Sequence, residues 1–392
     1  MKRMIFDLAV EGHQATWYEY LIRDAAFRGG DDELHLVVGS HFPEQYPGVI
    51  SLATEQPRIH IHPTAAPTPA PWHRWLPGSV RLFAQALDEW AVLCAKATEL
   101  RADHCIALYL DRLAQGPLAL GYQAPCPVSG ILFRPAFYYE APRSARSMRQ
   151  RILLRRALKN PCLGTLLSLD PLAVDPLRAL QPKARIEAIP DPIPIDCTDT
   201  VPPEIPPSQR VLLLFGALSS RKGIFQVLEA LPLLPSDVTE SVCLALVGRP
   251  IQSESGRIRS AVERAQSTGS VPIHTVFDYV SEEAVNGWFE RAEIVLATYQ
   301  RHVGSSGILM RAAAAETPVL SSDYGLMGAL TKRYQLGVAT DTTSAPAISE
   351  AITRLLREPA AQKETMRAFA ERHTPAHFCD ALYRASAPLH TP

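Results

Sequence analysis

The residues best suited to chemistry lie in two short segments of the second half of the chain. In Arg210 to Gly223 (RVLLLFGALSSRKG), an apolar run from Val211 to Phe215 is followed by Gly216 and then by adjacent cations, Arg221 and Lys222. An uninterrupted apolar run suits a strand covered on both faces in a parallel sheet. Gly216 lets the backbone turn. A helix expected over Gly223–Leu231 would set free N–H groups and the positive end of its dipole beside the two cations, which favours a doubly charged phosphate. The alternative is a solvated helix start, where neighbouring Arg and Lys are common. In the second segment, Val303-Gly304-Ser305-Ser306-Gly307 leads into a helix through about Ala315. Small residues at a helix start let the main chain approach a ligand, and Ser305 or Ser306 can cap while other amides face a phosphate or sugar oxygen. Ser-Ser-Gly is also an ordinary N-cap.

These segments need a scaffold. At 392 residues the chain is long for one domain and comfortable for two. Apolar strands are expected at Met4–Val10, Leu34–Val38, Cys105–Leu110 and Leu163–Leu169, with helices at Ala15–Arg28, Val80–Arg101 and Ser144–Leu158. Further strands are expected at Val211–Phe215, Cys243–Val247, Ile273–Phe277, Ile294–Ala297 and Val319–Ser321, separated by helices near Gly223–Leu231, Glu254–Thr268, Glu282–Arg291 and Gly307–Ala315. Alternating strands and helices imply two parallel α/β sheets, in which ligands lie beyond the carboxyl ends of the strands. The Pro-rich stretch Ile189–Pro207 resists both helix and central strand and marks the boundary. The expected organisation is a first domain over 1–190, a linker over 191–208, a second domain over 209–372 and a terminal helix over 373–392.

With 39 Lys+Arg against 40 Asp+Glu, the overall charge gives no sign of a nucleic-acid partner. Seven scattered cysteines without paired ligand spacing argue for a reducing compartment and against zinc. Asp7 and Glu11 interrupt the N-terminal apolar run too early for a signal peptide, and no 18-residue apolar segment follows, so a cytoplasmic protein is expected.

FGALSSRKG, LALVGRP and GSSGILMRAAAAETPVLSSDYG, in this order and spacing, resemble the donor domain of the retaining glycosyltransferases of family 4. The resemblance covers roughly Val211 to Leu356, with a weaker match at Glu11-Gly12-His13. It implies the GT-B fold: two doubly wound Rossmann-like domains facing a cleft, acceptor side first and nucleotide-sugar side second, with the last helix returning to the first domain. By this resemblance Arg221 and Lys222 bind the diphosphate of a nucleoside-diphosphate sugar, which is substrate rather than cofactor. Gly304, Ser305, Ser306 and Gly307 form the other side of the donor site. The implied reaction moves a sugar to a hydroxyl of a glycan or lipid-linked acceptor with retention and without a metal, the cations stabilising the leaving charge.

The chain departs from its family at two positions. Similar enzymes carry two glutamates eight positions apart, and anchoring on Thr317-Pro318-Val319 places these at Val303 and Arg311. Arg311 cannot accept a hydrogen bond, so either the ribose hydroxyls need another acceptor or Arg311 contacts phosphate or an acidic sugar instead. This keeps open a nucleotide-sugar-binding protein without turnover and, less favoured, a GT-B-fold epimerase. Glu316 replaces the usual glycine before Thr317.

Tyr279 falls where similar proteins hold the base, or is only a packed tyrosine. His302, with Arg301, lies after Ile294–Ala297 near the expected sugar position, or is solvated. Gly12 would permit a turn and His13 a contact with donor phosphate or acceptor hydroxyl, unless the pair simply caps a helix. Asp111 is an acceptor contact or proton carrier, or the carboxylate of a structural salt bridge. His104 precedes its strand and points to the wrong end of the sheet. Between Arg134 and Lys159 eight cations face one carboxylate, Glu140. With Met148, Ile152 and Leu153, the segment Arg143 to Lys159 would touch an anionic membrane or a charged lipid-linked acceptor, or form a solvated helix.

Overall fold

The structure is a computed structural model that describes residues 1–9, 14–28, 31–67, 75, 77–141, 144–193, 205–358 and 363–387. The chain divides into two units, Met1–Pro190 with Pro375–Pro392, and Asp191–Thr374. Gly12, His13 and Arg143 lie outside the described residues.

The first unit holds a seven-stranded sheet in the order β3-β2-β1-β4-β5-β6-β7. Its strands are β1 (Lys2–Asp7), β2 (Glu33–Gly39), β3 (Ile59–Thr64), β4 (His104–Ala107), β5 (Val128–Leu132), β6 (Leu163–Ser168) and β7 (Arg185–Ala188). Every neighbouring pair is parallel. Alternation along β1 sends Met4 and Phe6 into a core with Trp90, Leu93 and Leu154, whereas Ile5 joins Tyr18, Leu21, Phe378 and Leu382 on the other face. Phe378 and Leu382 come from the terminal helix Pro375–Ala385, so this helix seals one face of the first sheet, with Trp17 against Phe378 at a centroid distance of 4.8 Å.

The second unit holds six strands in the order β10-β9-β8-β11-β12-β13. These are β8 (Arg210–Phe215), β9 (Val242–Val247), β10 (Ile273–Val276), β11 (Ala292–Ala297), β12 (Val319–Ser322) and β13 (Gly337–Thr340). All of its pairs are parallel. Strand order reverses between β1 and β4 in one sheet and between β8 and β11 in the other. Loops leaving the carboxyl ends of these four strands are where an open α/β sheet places its ligand.

Several bounds differ from expectation. β1 ends at Asp7 rather than Val10, and the segment after Ala107 turns into short helices instead of continuing to Leu110. His104 opens β4 instead of preceding it. It is buried, and its Nε2 lies 2.9 Å from Ser129 Oγ, which donates to Ala385 O of the terminal helix at 3.0 Å. Burial, with Arg3 and Arg185 nearby, lowers the His104 pKa to about 4. An imidazole depressed on folding supports stability above its unfolded pKa and withdraws that support as pH falls towards the folded value. Between about pH 7.5 and about pH 5 the loss from this one group is expected to be about 2 kcal/mol, and His104→Gln should flatten it in urea unfolding. An equal acid loss in the variant would show that His104 is not responsible.

Candidate active site

β8 ends at Phe215, and Gly216 turns the chain with φ 102°. A Cβ at this position would lie 2.8 Å from the Lys222 ammonium, so the glycine makes room for that cation. Arg221 and Lys222 lie just before the following helix, as expected. They occupy a 3₁₀ turn, Ser220–Lys222, and the helix starts one left-handed residue later, at Ile224. Glu254 holds this turn, accepting from the Ser220 amide at 2.6 Å and its hydroxyl at 2.8 Å. A charged acceptor thus takes an amide that a phosphate would otherwise have used, leaving the attraction for an anion to the side chains of the pair.

The two cations differ. Arg221 is exposed, with its guanidinium carbon 5.1 Å from the centre of the Tyr299 ring. Lys222 is only 6% exposed, and its Nζ donates to Phe215 O at 2.6 Å and to Tyr299 Oη at 2.9 Å. Tyr299 Oη also meets Ser306 Oγ at 2.8 Å. The cation turn and the Ser-Ser-Gly segment are therefore joined through one phenol. Burial pushes this phenol up, but Lys222, Ser306 and Arg221 outweigh it and hold Tyr299 below its ordinary value. The loop after β11 also grips the turn by its backbone. Thr298 Oγ1 donates to Lys222 O at 2.7 Å, and the Gln300 amide donates to Arg221 O at 2.8 Å.

Ser306 is the N-cap of the helix Gly307–Ala314, while Ser305 Oγ donates to Asp191 at 3.0 Å. Gly304 is buried beside them, and a Cβ at Gly307 would meet nothing within 4 Å. His302 packs on Tyr299, ring centres 5.2 Å apart, with its Nε2 3.4 Å from Ser305 O. Arg311, one turn into the helix, donates to Asn286 Oδ1 at 3.3 Å. Glu316 adopts φ 53°, a conformation natural to the glycine it replaces, and pairs with Arg367 and Lys363 on the helix Lys363–Glu371. Tyr279 is not a packed tyrosine. It stands 76% exposed in the loop after β10.

In the first unit, Asp111 makes no salt bridge among the described residues, and its carboxylate is not open. Its two oxygens accept from the amides of Phe133 (2.8 Å) and Arg134 (3.0 Å), and burial raises its pKa to about 6 despite them. The ion pair at this end of the sheet is instead Arg112 with Glu89, at 3.1 Å. Burial carries the Glu89 pKa up to about 7, with Arg112 opposing and Asp7 adding to the rise. The helix Ala145–Ala157 packs through Ser147, Gln150, Leu154 and Ala157. Met148 and Ile152, 51% and 53% exposed, stand outside with Arg149, Arg155 and Arg156.

Two parallel α/β units, the second bearing paired cations at its strand-order reversal, are the architecture of the GT-B glycosyltransferases, and the chain has this fold. Residues 198–373 match the family model described as Glycosyl transferases group 1. No curated protein was found to be similar in sequence. Among solved structures, the chain is similar to the N-terminal domain of trehalose-6-phosphate phosphatase from Candida albicans, with 12% identity over 98% of this chain and 96% of that one and a TM-score of 0.69. It is similar to sucrose-phosphate synthase from Thermosynechococcus elongatus, with 16% identity over 98% of each chain and a TM-score of 0.67. It is also similar to Anabaena HepE in complex with UDP, with 13% identity over 98% of this chain and 99% of that one and a TM-score of 0.67. At these identities the likeness is one of fold.

Proposed function

We propose that this chain transfers a glycosyl group from a nucleoside-diphosphate sugar to an acceptor hydroxyl, with retention and without a metal in the transfer step. The observation that carries the reading is the Lys222–Tyr299–Ser306 chain beside exposed Arg221 at the β8/β11 reversal, together with the family match of the same unit. HepE was solved with UDP, and a uridine diphosphate would satisfy these cations here too. The bond between the anomeric carbon and the diphosphate oxygen breaks, and the diphosphate keeps the electron pair. Arg221 and Lys222 stabilise that charge as it develops. The acceptor oxygen bonds to the anomeric carbon on the same face, and its proton passes to the departing diphosphate. Tyr279 offers an exposed ring to the base, His302 lies near the sugar, and the Gly304–Gly307 segment contacts donor oxygens.

A second reading, a protein that binds nucleotide-sugars without turning them over, is favoured by Val303 and Arg311 at the positions of the family's glutamates. Calorimetry with a panel of nucleotide-sugars, followed by assays of donor hydrolysis and transfer, separates the two. Affinity without either reaction selects the binder, and no affinity for any nucleotide-sugar rejects both.

The acceptor we infer is lipid-linked, from the exposed cations and apolar side chains of Ala145–Ala157. Sedimentation with vesicles should show binding that requires anionic lipid and fades with added salt. Equal binding to neutral vesicles, or none to either, would remove this inference.

A further inference from the structure

We propose that Glu33, His35 and His60, supported by His62, form a binding site for a divalent transition-metal ion of the zinc class at the edge of the first sheet. β2 and β3 pair in parallel with His35 beside His60 and Val37 beside His62. Strand alternation therefore gathers Glu33, His35, His60 and His62 on one face, and β3 is the outermost strand. One potential ligand atom from each of Glu33, His35 and His60 lies within 4.8 Å of the others. Glu33 Oε2 and His35 Nε2 are 3.2 Å apart, close to the ~3.3 Å edge of a zinc tetrahedron with bonds of ~2.0–2.1 Å. Two imidazoles and a carboxylate suit zinc, nickel or copper far better than magnesium.

The hydrogen bonding of His35 gives the site two states. Its Nδ1 lies 3.0 Å from His62 Nε2 and its Nε2 faces the Glu33 carboxylate. A neutral imidazole has one ring proton. With the proton on Nε2, His35 donates to Glu33 and accepts from His62, and the cluster is satisfied without a metal. With the proton on Nδ1, His35 donates to His62 and turns a lone pair on the carboxylate, an opposition that a cation between them removes. In the second state His62 accepts from the ligating imidazole and orients it, in the place that a carboxylate or backbone carbonyl usually takes. Lys2, 3.4 Å from Glu33, is the group that a metal would displace.

Glu33, His35 and His60 sit in the amino-terminal halves of their strands, at the end of the sheet away from the carboxyl-end loops. The ion would clip the edge strand to its neighbour rather than act on sugar. The full chain, stripped with chelator, should bind one equivalent of zinc chloride by calorimetry and melt at a higher temperature with zinc than without. Magnesium should do neither. His60→Asn should abolish this equivalent, and His62→Ala should weaken it by roughly 10- to 100-fold. Both variants should melt like the parent chain without metal, which separates loss of binding from loss of fold. The proposal is overturned if the parent chain binds no zinc, or if His60→Asn and His62→Ala bind it as the parent does, since the metal would then be held elsewhere, such as on cysteines.

Discussion

Lys222→Gln is expected to lower turnover of a nucleotide-sugar by roughly 10²- to 10³-fold, the usual loss when one group aimed at developing charge is removed. Glutamine keeps a donor for Phe215 O, which Lys222 now satisfies at 2.6 Å, so the turn should survive while the charge is lost. Arg221→Ala removes the exposed partner and should act mainly on donor affinity. Tyr299→Phe provides the contrast. It deletes the hydroxyl between Lys222 and Ser306 without changing net charge, and the loss of a net ~1 kcal/mol hydrogen bond should cost only about fivefold. Donor hydrolysis and calorimetry on the three proteins, with thermal melting as a check on folding, give the ranking. Unchanged affinity and turnover in both Lys222→Gln and Arg221→Ala would end the assignment of these cations to the diphosphate.

Gly223→Ala should be strongly damaging to the site. Gly223 has φ 76°, and its new Cβ would lie 2.2 Å from the Thr298 carbonyl oxygen and 2.8 Å from Gln300 Nε2. The carbonyl belongs to the β11 loop that grips the cation turn, so relief requires moving backbone that positions Lys222. A cost of about 3 kcal/mol or more is expected, together with loss of donor binding. Gly269→Ala is the control. It has φ 66° with nothing within 4 Å of the added carbon, so it bears only the left-handed conformation, about 1 kcal/mol. Similar losses in chemical denaturation of the two variants would show that the close approach to Thr298 carries no weight.

The strands legible in the sequence were those with unbroken apolar runs, such as β8 and β9, which are buried on both faces. The unexpected strands lacked that signal for identifiable reasons. β3 reads IHIHPT, β7 reads RIEA and β13 reads GVAT, and all three are short edges with one unpaired side. β5 is internal, but its Ser129 ties the terminal helix and its Gly130 would place a Cβ 2.6 Å from Ala107 O, so packing selected small residues where an apolar run was sought. The helices Gly325–Arg333, Ala345–Arg357 and Lys363–Glu371 were also unexpected.

At the candidate site, the glycine turn and paired cations were visible as a local pattern. Tyr299 and Glu254 were not, because each acts on a partner far along the chain. The only available hint for Tyr299 was its place just after β11, the strand that pairs with β8 at the reversal. Asp111 was misjudged because sequence reveals a carboxylate but not the two backbone amides folded onto it.

The terminal helix has a consequence for biosynthesis. Its Phe378 and Leu382 complete a layer begun by Ile5 and Tyr18, so one compact body is made from two stretches separated in sequence by the whole of the other. A ribosome therefore finishes every strand of the later body before the earlier one receives its last apolar side chains. Until then, the nascent first portion carries an uncovered greasy surface that the helix Pro375–Ala385 goes on to hide.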